Sequence, residues 1–598
     1  MEIKRIFLAG FLIMLVWVVW TALFPPLEPE PGEPLQEKKE VASDSEQKEP
    51  ILKKEGELLD VPSKEFEIIT PLFSARLSNA AGGTFLQYTL SGEKYKGAYT
   101  KQSSNFSWES KKHSYDESAP VSFLFTEEEG FVSCNPCLEG VETNNLHSIL
   151  VNDQPLPENG GPLNIETTTT IKFISQNNDF NHLIIIEPDS YRVRHQYELL
   201  SEKLKKEAPL LVWKNGTRPS EKYGWLDDQN SYGMFVSKNG EDSDYLTGNN
   251  ETDPLSFKDI EWVGSRNKFF VSAIIPVESN VKSGKVVPVQ NLSFSGSEDS
   301  FFKNRGTKAS VYDIFLTFEN SSTFEFDSFL APLEYSLIKD SDIKDLDDIM
   351  TMGGSILRPI SKFVLNIIIF INSYLPFGGY ALVLIIFAFI VRIVAGPLTK
   401  RSLQSTKKMQ EVQPLIKEIQ EKYKSDPKKM QMKIMETYKN QKVNPLSGCF
   451  LMFLQWPIMI PPFILFRSII ELRGEPLFLW IQDLSLPDYI FELPFHIPLI
   501  GIGNGYTGVG LLPILMGVTL FLTMKQSSGD MPQQNKVMLY TMNGMFVLLF
   551  NSFPAGLNLY YVVYNLLNYF QQRRTSQNKD GQNFSQKPPF WTKLVKKK

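Results

Sequence analysis

A charged residue lies inside an apolar run that is long enough to cross most of a bilayer. The run 380–395 consists of uncharged, mostly aliphatic or aromatic residues, except for Arg392. A charge at the centre of a membrane helix costs about 2.5–3.5 kcal/mol on insertion scales, so such a residue usually faces water or a partner inside the protein. Lys400 follows eight residues later, so the side chain could instead snorkel towards the membrane surface. The run therefore predicts a membrane helix and makes Arg392 a candidate functional residue.

Other apolar segments predict a multi-pass topology. Residues 1–24 contain an apolar stretch after Lys4 and Arg5, which we interpret as an uncleaved anchor. A signal peptide is the rival interpretation, but no clear small-x-small cleavage site follows. Five further spans are expected at about residues 380–396, 448–466, 509–524, 536–552 and 555–571. Six spans would place both termini on one side of the membrane.

The distribution of basic residues orients these spans. The loop 398–446 carries twelve Lys and Arg residues against five acidic residues, and the tail 573–598 carries eight against one. Cytoplasmic loops are enriched in Lys and Arg, so loop and tail are both expected in the cytoplasm. The long segment between the first two spans is then expected on the opposite side of the membrane, outside the cytoplasm.

That outer segment divides into three parts. Residues 25–64 are rich in Pro, Glu and Lys and predict a flexible linker. Residues 65–340 contain short alternating or β-branched runs separated by Gly-rich turns, which predict a large antiparallel β-sandwich. Residues 341–374 have apolar side chains at spacings of three and four, which predicts an amphipathic helix in the membrane interface. A buried helix that closes the soluble domain is the alternative.

The cytoplasmic loop is itself predicted to be a helical hairpin over residues 399–446. Apolar residues spaced three and four apart run from Met409 to Tyr423, with Pro414 as a potential kink. Asp426 is a plausible N-cap for a second helix and Pro427 suits its first position. This basic hairpin is either a docking site for a nucleoprotein or nascent chain, or a solvated linker.

The sequence offers no catalytic or cofactor site. No phosphate-binding GxxxxGK[ST] motif is present, and 503–508 fits GxGxxG but precedes an apolar span and follows no strand–helix unit. The histidines show no metal-ligand spacing, so we expect no metal, no cofactor and no enzymatic activity. Cys134 and Cys137 form a Cys-Asn-Pro-Cys unit, for which a local disulfide is favoured over two thiols, and Cys449 is expected to be a packing residue.

Three motifs in order carry a family resemblance. They are 390–402 (IVRIVAGPLTKRS), 444–457 (NPLSGCFLMFLQWP) and 553–565 (FPAGLNLYYVVYN). With them the chain resembles the YidC family of membrane protein insertases, of the bacterial type with a large periplasmic domain. The resemblance covers nearly the whole length.

The resemblance implies a fold class and a function. The fold would be a multi-pass α-helical membrane protein with six transmembrane helices, five of them forming the core at 375–572, and a large extracytoplasmic antiparallel β-sandwich. The protein would insert and help fold nascent inner-membrane proteins through a hydrophilic groove open to cytoplasm and lipid. Expected partners are nascent substrates, a Sec translocon, the ribosome through the basic loop and tail, and membrane lipids, with no specific nucleic acid sequence.

Groove residues follow from two sources. By the resemblance, Arg392 lies in the groove, and five residues match substrate-contact positions: Met459, Met545, Leu549, Tyr560 and Tyr561. From the sequence itself, polar residues within the spans are further candidates, each with interhelical hydrogen bonding as the alternative: Gln455, Thr519, Thr523, Asn543 and Asn558.

Two other functions fit parts of the sequence. A solute transporter would show inverted repeats or several intramembrane charges, which we do not find. A membrane-tethered periplasmic carbohydrate-binding protein or enzyme would use the β-sandwich as its working part, and the sequence leaves ligand binding there open.

Overall fold

A computed structural model of the protein describes residues 64–577 with several gaps. The main gaps are 102–112, 125–133, 142–145, 157–160, 239–242, 248–252, 278–280, 290–292, 295–306, 376–378, 442–458, 493–507 and 529–532, with shorter ones at 81, 140, 207, 224–225, 228, 309, 320 and 478–479. The predicted anchor 1–24, almost all of the linker 25–64 and the tail beyond residue 577 lie outside the described residues.

The first part of the chain folds into β-strands. In chain order they are Glu65–Ile69 (β1), Phe73–Ser78 (β2), Thr84–Leu90 (β3), Lys96–Lys101 (β4), His113–Pro120 (β5), Cys137–Leu138 (β6), His147–Val151 (β7), Gln154–Pro155 (β8), Leu163–Asn164 (β9), Thr169–Ser175 (β10), Phe180–Ile186 (β11), Arg192–Leu199 (β12), Leu210–Trp213 (β13), Tyr232–Ser237 (β14), Ser243–Thr247 (β15), Leu255–Phe257 (β16), Ile260–Arg266 (β17), Phe270–Val277 (β18), Val281–Val289 (β19), Ser293–Phe294 (β20), Thr307–Lys308 (β21), Val311–Phe318 (β22) and Thr323–Pro332 (β23). A short helix, Glu202–Lys206 (α1), interrupts them. We call residues 64–334 the β-domain.

Two large antiparallel sheets pack face to face in this domain. One has ten strands in the order β15-β14-β17-β18-β23-β12-β11-β10-β7-β8, and the other has five in the order β16-β19-β22-β13-β6. Their inner faces meet through aromatic pairs such as Phe318 and Phe324, whose ring centroids lie 4.5 Å apart. A four-stranded sheet, β3-β2-β1-β9, adjoins them, and its β1–β9 pair is parallel. The β-rich domain is therefore as expected, apart from that one parallel pair.

Alternating side chains explain these strands. Along β10 and β11 every second residue is buried, including Ile171, Phe173 and Ile184. Such a period of two buries one face of a strand and leaves the other at the surface. His182 shares the buried face of β11, and His147 and His195 are buried in neighbouring strands. These three histidines are core residues.

The predicted amphipathic helix over 341–374 is wrong in its first half. The structure has a helix at Tyr335–Asp340 (α2), a 3-10 turn at Leu346–Ile349, and a helix only at Arg358–Tyr374 (α3). Left-handed backbone at Asp345 (φ 54°) and Gly353 (φ 85°) breaks the helical path. The apolar spacing before residue 358 instead buries Ile349 and Met352 in a folded linker. On α3, Phe363 and Phe370 remain exposed while Leu365 and Ile368 are buried.

The rest of the described chain is mainly helical. The helices are Gly379–Lys422 (α4), Pro427–Asn440 (α5), 459–468 (α6), Leu511–Ser528 (α7), Gln533–Phe550 (α8) and Ala555–Gln577 (α9), with a two-stranded ribbon of Tyr489–Glu492 (β24) and Gly508–Gly510 (β25). We predicted a span at 380–396 and a separate hairpin helix, but α4 is continuous for 44 residues with Pro397 and Pro414 inside it. Each proline removes a backbone donor without ending the helix.

The hairpin is formed by the second half of α4 and by α5. Val412 and Ile416 are buried there, packed against Ile434 and Tyr438. Asp426 is the N-cap of α5, since its Oδ1 accepts a hydrogen bond from the backbone N–H of Lys429 at 3.1 Å. The hairpin thus has its own small apolar seam.

Among the described residues, one helical segment, Gly379–Pro397, is long and apolar enough to cross a membrane by length and composition. Two more apolar helical segments, Leu511–Gln526 and Tyr540–Phe550, are shorter. The six-span topology stays a prediction.

Candidate functional site

Arg392 points into the helical bundle. The residue is 6% exposed, whereas its neighbours Ile393 and Val394 are 74% and 69% exposed. On the same inward side of α4, Ala388 and Ala395 are also buried. The guanidinium therefore lies within the protein and is not directed outwards from the helix surface.

The inward face of α4 meets α9. The Cζ atom of Arg392 lies 5.6 Å from the ring centroid of Tyr564, a cation–π distance. One helical turn earlier, Tyr560 is fully buried, and its ring centroid lies 5.8 Å from that of Phe387 in a tilted arrangement. Further along, the Nε2 of Gln571 donates a hydrogen bond to the carbonyl of Gly396 at 3.4 Å. Polar groups thus lie on both sides of the α4–α9 contact at this depth.

The predicted polar candidates line the contacts of α7, α8 and α9. Thr519, Thr523 and Asn543 are all less than 10% exposed. The hydroxyl of Thr523 donates to the carbonyls of Thr519 (2.9 Å) and Asn565 (3.3 Å), the second across to α9. The Nδ2 of Asn543 donates across to the carbonyl of Gly517 on α7 at 3.1 Å. These side chains join helices, so the interhelical alternative accounts for part of their hydrogen bonding.

Some polar atoms in this region have no protein partner among the described residues. They are Oδ1 of Asn543, Oδ1 of Asn558 and the hydroxyl of Tyr560. A buried polar group without a partner costs about 1–3 kcal/mol. The described interior of the bundle thus contains more polar atoms than its own hydrogen bonds satisfy.

The residues expected at substrate-contact positions differ in exposure. Met545 is 53% exposed, whereas Tyr560 and Tyr561 are at most 6% exposed. Met459 and Leu549 are partly buried beside the core. The hydroxyl of Tyr561 donates to the carbonyl of Met459 at 3.1 Å, which links α9 to α6. Gln455 lies outside the described residues.

Charged residues at the junction with the β-domain were missed by the sequence analysis. Arg467 of α6 places its Cζ atom 4.9 Å from the ring of Phe553. Glu471 and Arg473 follow directly and are 4% and 3% exposed. Burial raises the pKa of Glu471 to about 7. The only sequence signal was four charged residues between positions 467 and 475, after an apolar run, which is also typical of an exposed loop.

On the β-domain side, Lys268 is equally buried, at 1% exposed. Burial lowers the pKa of this ammonium group, and the charge of Glu221 opposes that shift. The position of Lys268 at the junction was not foreseen from the sequence.

The predicted disulfide and a cleft both lie in the β-domain. Cys134 and Cys137 are bonded, with an Sγ–Sγ distance of 2.08 Å, in a small buried cluster with Val212. A cleft of about 1020 Å³ opens between the ends of β14–β15 and β16–β19, with walls that include Lys285 and Phe315. The described residues that line the cleft or pack around the disulfide all belong to the β-domain.

Comparison with known proteins bears on these positions. The family model described as 60Kd inner membrane protein matches residues 370–582, which include Arg392 and the whole of α7–α9. A membrane protein insertase YidC from Chlorobium luteolum is 35% identical over 404 residues, which cover 64% of each chain. One from Chloroherpeton thalassium is 29% identical over 595 residues, 94% of this chain and 93% of its own.

The chain is therefore similar to membrane protein insertases of the YidC family. Its alignment spans 64% of the length of the first relative above and 93% of the second. A solved structure described as an active YidC insertase with its first transmembrane domain resolved aligns with 87% of this chain and 94% of its own, at 15% identity and a TM-score of 0.33.

Proposed function

We propose that this protein is a membrane protein insertase of the YidC type that works without nucleotide hydrolysis. In this proposal the helical part spans the inner membrane with six helices, the β-domain lies in the periplasm, and both termini are cytoplasmic. A nascent apolar segment enters the lipid along the bundle beside Arg392.

The observation that carries the proposal is the burial of Arg392 in an apolar helix. A helix of about 20 apolar residues gains free energy as its side chains leave water. The polar chain end that crosses ahead of it is the obstacle, because each unpaired polar group in hydrocarbon costs several kcal/mol. A cation held inside the bundle attracts acidic residues of that end and retains water around it. The crossing through hydrocarbon is thereby shortened.

The polar atoms near this cation support a hydrated interior. The free Oδ1 atoms of Asn543 and Asn558 have no partner in the described part of the protein. Water that reached them would remove their desolvation cost. Thr523 and Arg392 would border the same hydrated region, which in this proposal opens to the cytoplasm.

The course of α4 supports the proposed orientation. At its first turn, the backbone N–H of Tyr380 donates to Glu475 at 3.3 Å, beside the β-domain junction. Its last turns form the basic hairpin with α5. A helix of 44 residues is roughly 66 Å long at 1.5 Å per residue, which exceeds a bilayer. β-domain and hairpin would therefore lie on opposite sides.

The proposed partners follow from this orientation. Nascent membrane proteins are the substrates, and a Sec translocon supplies some of them. The basic hairpin and tail would contact ribosomal RNA and anionic lipid through charge, without reading a nucleotide sequence.

Substitution of Arg392 tests the proposal. In proteoliposomes that contain the full chain, we expect Arg392→Ala to lose insertion of substrates with acidic tails, while Arg392→Lys retains much of it. Ile393→Ala is the matched control, because its side chain is on the same helix but is exposed. Normal insertion by the Arg392→Ala protein would refute the role of the cation.

A further inference from the structure

The β-domain and the helical bundle share one buried core. A continuous cluster of apolar side chains runs from the sheets through the linker to the helices, and it includes Phe270, Leu333, Met352 and Leu465. Burial of this kind gives adhesion but little orientation, since apolar contact is non-directional. Orientation requires directional contacts at the same boundary.

Arg473 supplies such contacts from the side of the bundle. It follows α6 and the 3-10 turn Ile470–Leu472, and its Nε donates to Oε1 of Glu221 in the β-domain at 2.8 Å. The two side chains are 3% and 2% exposed. The pair is therefore a buried ion pair between the two parts of the protein.

The other guanidinium protons are bonded to the β-domain as well. They reach four backbone carbonyls: Lys96 at 2.8 Å, Gly97 at 3.1 Å, Lys94 at 3.5 Å and Ser220 at 3.5 Å. With Glu221, these make five acceptors for the five N–H donors of a guanidinium. All five acceptors belong to the β-domain, so the full set is satisfied in one relative orientation.

A second cation crosses the boundary in the opposite direction. Nζ of Lys268, at the start of β18, donates to the carbonyl of Ser485 in the loop that follows α6, at 2.9 Å. The same ammonium group lies 4.5 Å from the ring of Phe269. Each part of the protein thus contributes one buried cation that donates hydrogen bonds to backbone carbonyls of the other part.

Asp227 holds the β-domain side of this contact in place. Its carboxylate accepts hydrogen bonds from the backbone N–H groups of Ser220 (2.7 Å), Glu221 (2.7 Å) and Lys268 (3.2 Å). The loop that carries Glu221 and the turn that carries Lys268 are therefore tied to each other. The partners of Arg473 are therefore held in place by contacts within the β-domain itself.

We propose that Arg473, Glu221 and Lys268 form an interdomain anchor that holds the β-domain as a fixed cover over one end of the helical bundle. The apolar cluster supplies adhesion and the anchor supplies orientation. When one charge of a buried pair is removed, the other is left uncompensated, so the contact becomes strongly unfavourable. The β-domain is accordingly a structural part of the bundle, and Arg473 is a positioning residue.

The anchor also bears on insertion, and this consequence rests on the proposed function. Arg473 is five residues beyond α6, the helix whose Met459 carbonyl accepts from Tyr561. The orientation of α6 against α9 is therefore linked to the anchor.

A distance measurement on the full chain tests the anchor without an insertion assay. Nitroxide labels are placed on cysteines at the exposed positions Glu166 and Arg574, in a Cys449→Ser background. Double electron–electron resonance should give one narrow distance distribution for the otherwise unchanged protein. Glu221→Gln, which keeps the side-chain shape, should broaden it, and Arg473→Met should broaden it further.

Controls separate the anchor from general damage. Glu117 forms an exposed ion pair with Lys222 within the β-domain, so Glu117→Gln should leave the distribution narrow. If Arg473→Met yields no folded protein, the distance distributions of Glu221→Gln and Lys268→Met test the proposal instead. Distributions that stay narrow in these variants would overturn the proposal. A double variant of Glu221 and Arg473 should broaden the distribution less than the sum of the single effects.

An insertion assay on the same proteins keeps the two proposals apart. The anchor variants should lose insertion together with the narrow distribution. Arg392→Ala should lose insertion and keep the narrow distribution. Normal insertion by proteins with a broadened distribution would refute the positioning role and leave the proposed function standing.

Discussion

Acid should weaken the β-domain through a buried chain of hydrogen bonds. Nδ1 of His182 lies 2.7 Å from the carbonyl of Gly82, which can only accept, so Nδ1 carries the proton. Nε2 of His182 then accepts from Nδ1 of His195 at 3.0 Å. Nε2 of His195 accepts in turn from the hydroxyl of Ser328 at 2.9 Å. Both imidazoles are neutral in this arrangement, and a further proton would place an uncompensated charge in the core and force the hydrogen bonds to rearrange.

The size of the effect follows from the shift in pKa. Burial lowers the pKa of His182 from 6.5 to about 3, and burial also lowers that of His195 well below 6.5. Unfolded histidines take up protons near pH 6.5 while the folded ones do not, so stability is intact above that pH and is lost as the pH falls from 6.5 towards 3. Between pH 7 and pH 5 each of these two histidines should lower the free energy of unfolding by about 2 kcal/mol, at 1.36 kcal/mol per pH unit below the unfolded pKa.

Carboxyl groups with raised pKa act in the opposite direction. Burial raises the pKa of Glu471 to about 7. The folded protein therefore gains stability from this group as the pH falls through that value towards the pKa of the unfolded side chain. The test therefore compares two proteins that share every carboxyl group: the unchanged chain and His195→Gln, whose amide can both accept from Ser328 and donate to His182.

Urea unfolding of the full chain, followed by the fluorescence of the buried Trp213 and Trp262, gives the free energy of unfolding at each pH. Between pH 7 and pH 5 the unchanged protein should lose about 2 kcal/mol more than His195→Gln. Equal losses in the two proteins would refute the reasoning. So would nitrogen NMR shifts that place the proton of His182 or His195 on Nε2.

Two further substitutions test the packing of the helices. A Cβ atom on Gly517 of α7 would lie 2.2 Å from Cγ2 of Val547 on α8, so Gly517→Val should lower the melting temperature of the full chain in detergent, by an overpacking cost of about 1–3 kcal/mol. Gly544→Ala, which meets nothing within 4 Å, is its control, and equal melting temperatures would contradict the expectation. Asn551 accepts from one backbone N–H of β25 and donates to one of its carbonyls, so Asn551→Leu should cost about 2–6 kcal/mol for two orphaned groups. Unchanged amide exchange in β25 would refute that role.

Local patterns were sufficient to predict much of the fold. The alternation in β10 and β11 and the cap at Asp426 depend on neighbouring residues, and the structure contains both. The break between α2 and α3 was missed because apolar spacing continues through Gly353, whose positive φ is invisible to a periodicity argument. The continuity of α4 through Pro397 was missed because helix termination at proline is a tendency and not a rule.

The site was less predictable than the fold. Arg392 was found because a charge in an apolar run is conspicuous by itself. Lys268 and Ser485 are 217 residues apart in the chain, so no local pattern connects them. Arg473 and Glu221 are 252 residues apart, and each is unremarkable until the tertiary fold buries it. Residues whose role depends on a distant partner require the structure.

Arg392 and Arg473 together indicate from which side a nascent chain would enter the bundle. Arg473, Asn551 and Asp488 bond to backbone groups at the β-domain end, where Asp488 accepts from the first turn of α7 at 2.7 Å. Arg392 lies 13 residues from the start of α4, or roughly 20 Å from that end, and roughly 12 Å from Lys400. A hydrated path to the cation from the hairpin side is therefore shorter, and it avoids the end at which the polar groups are already bonded. On the proposed topology that side is the cytoplasm, where nascent chains arrive.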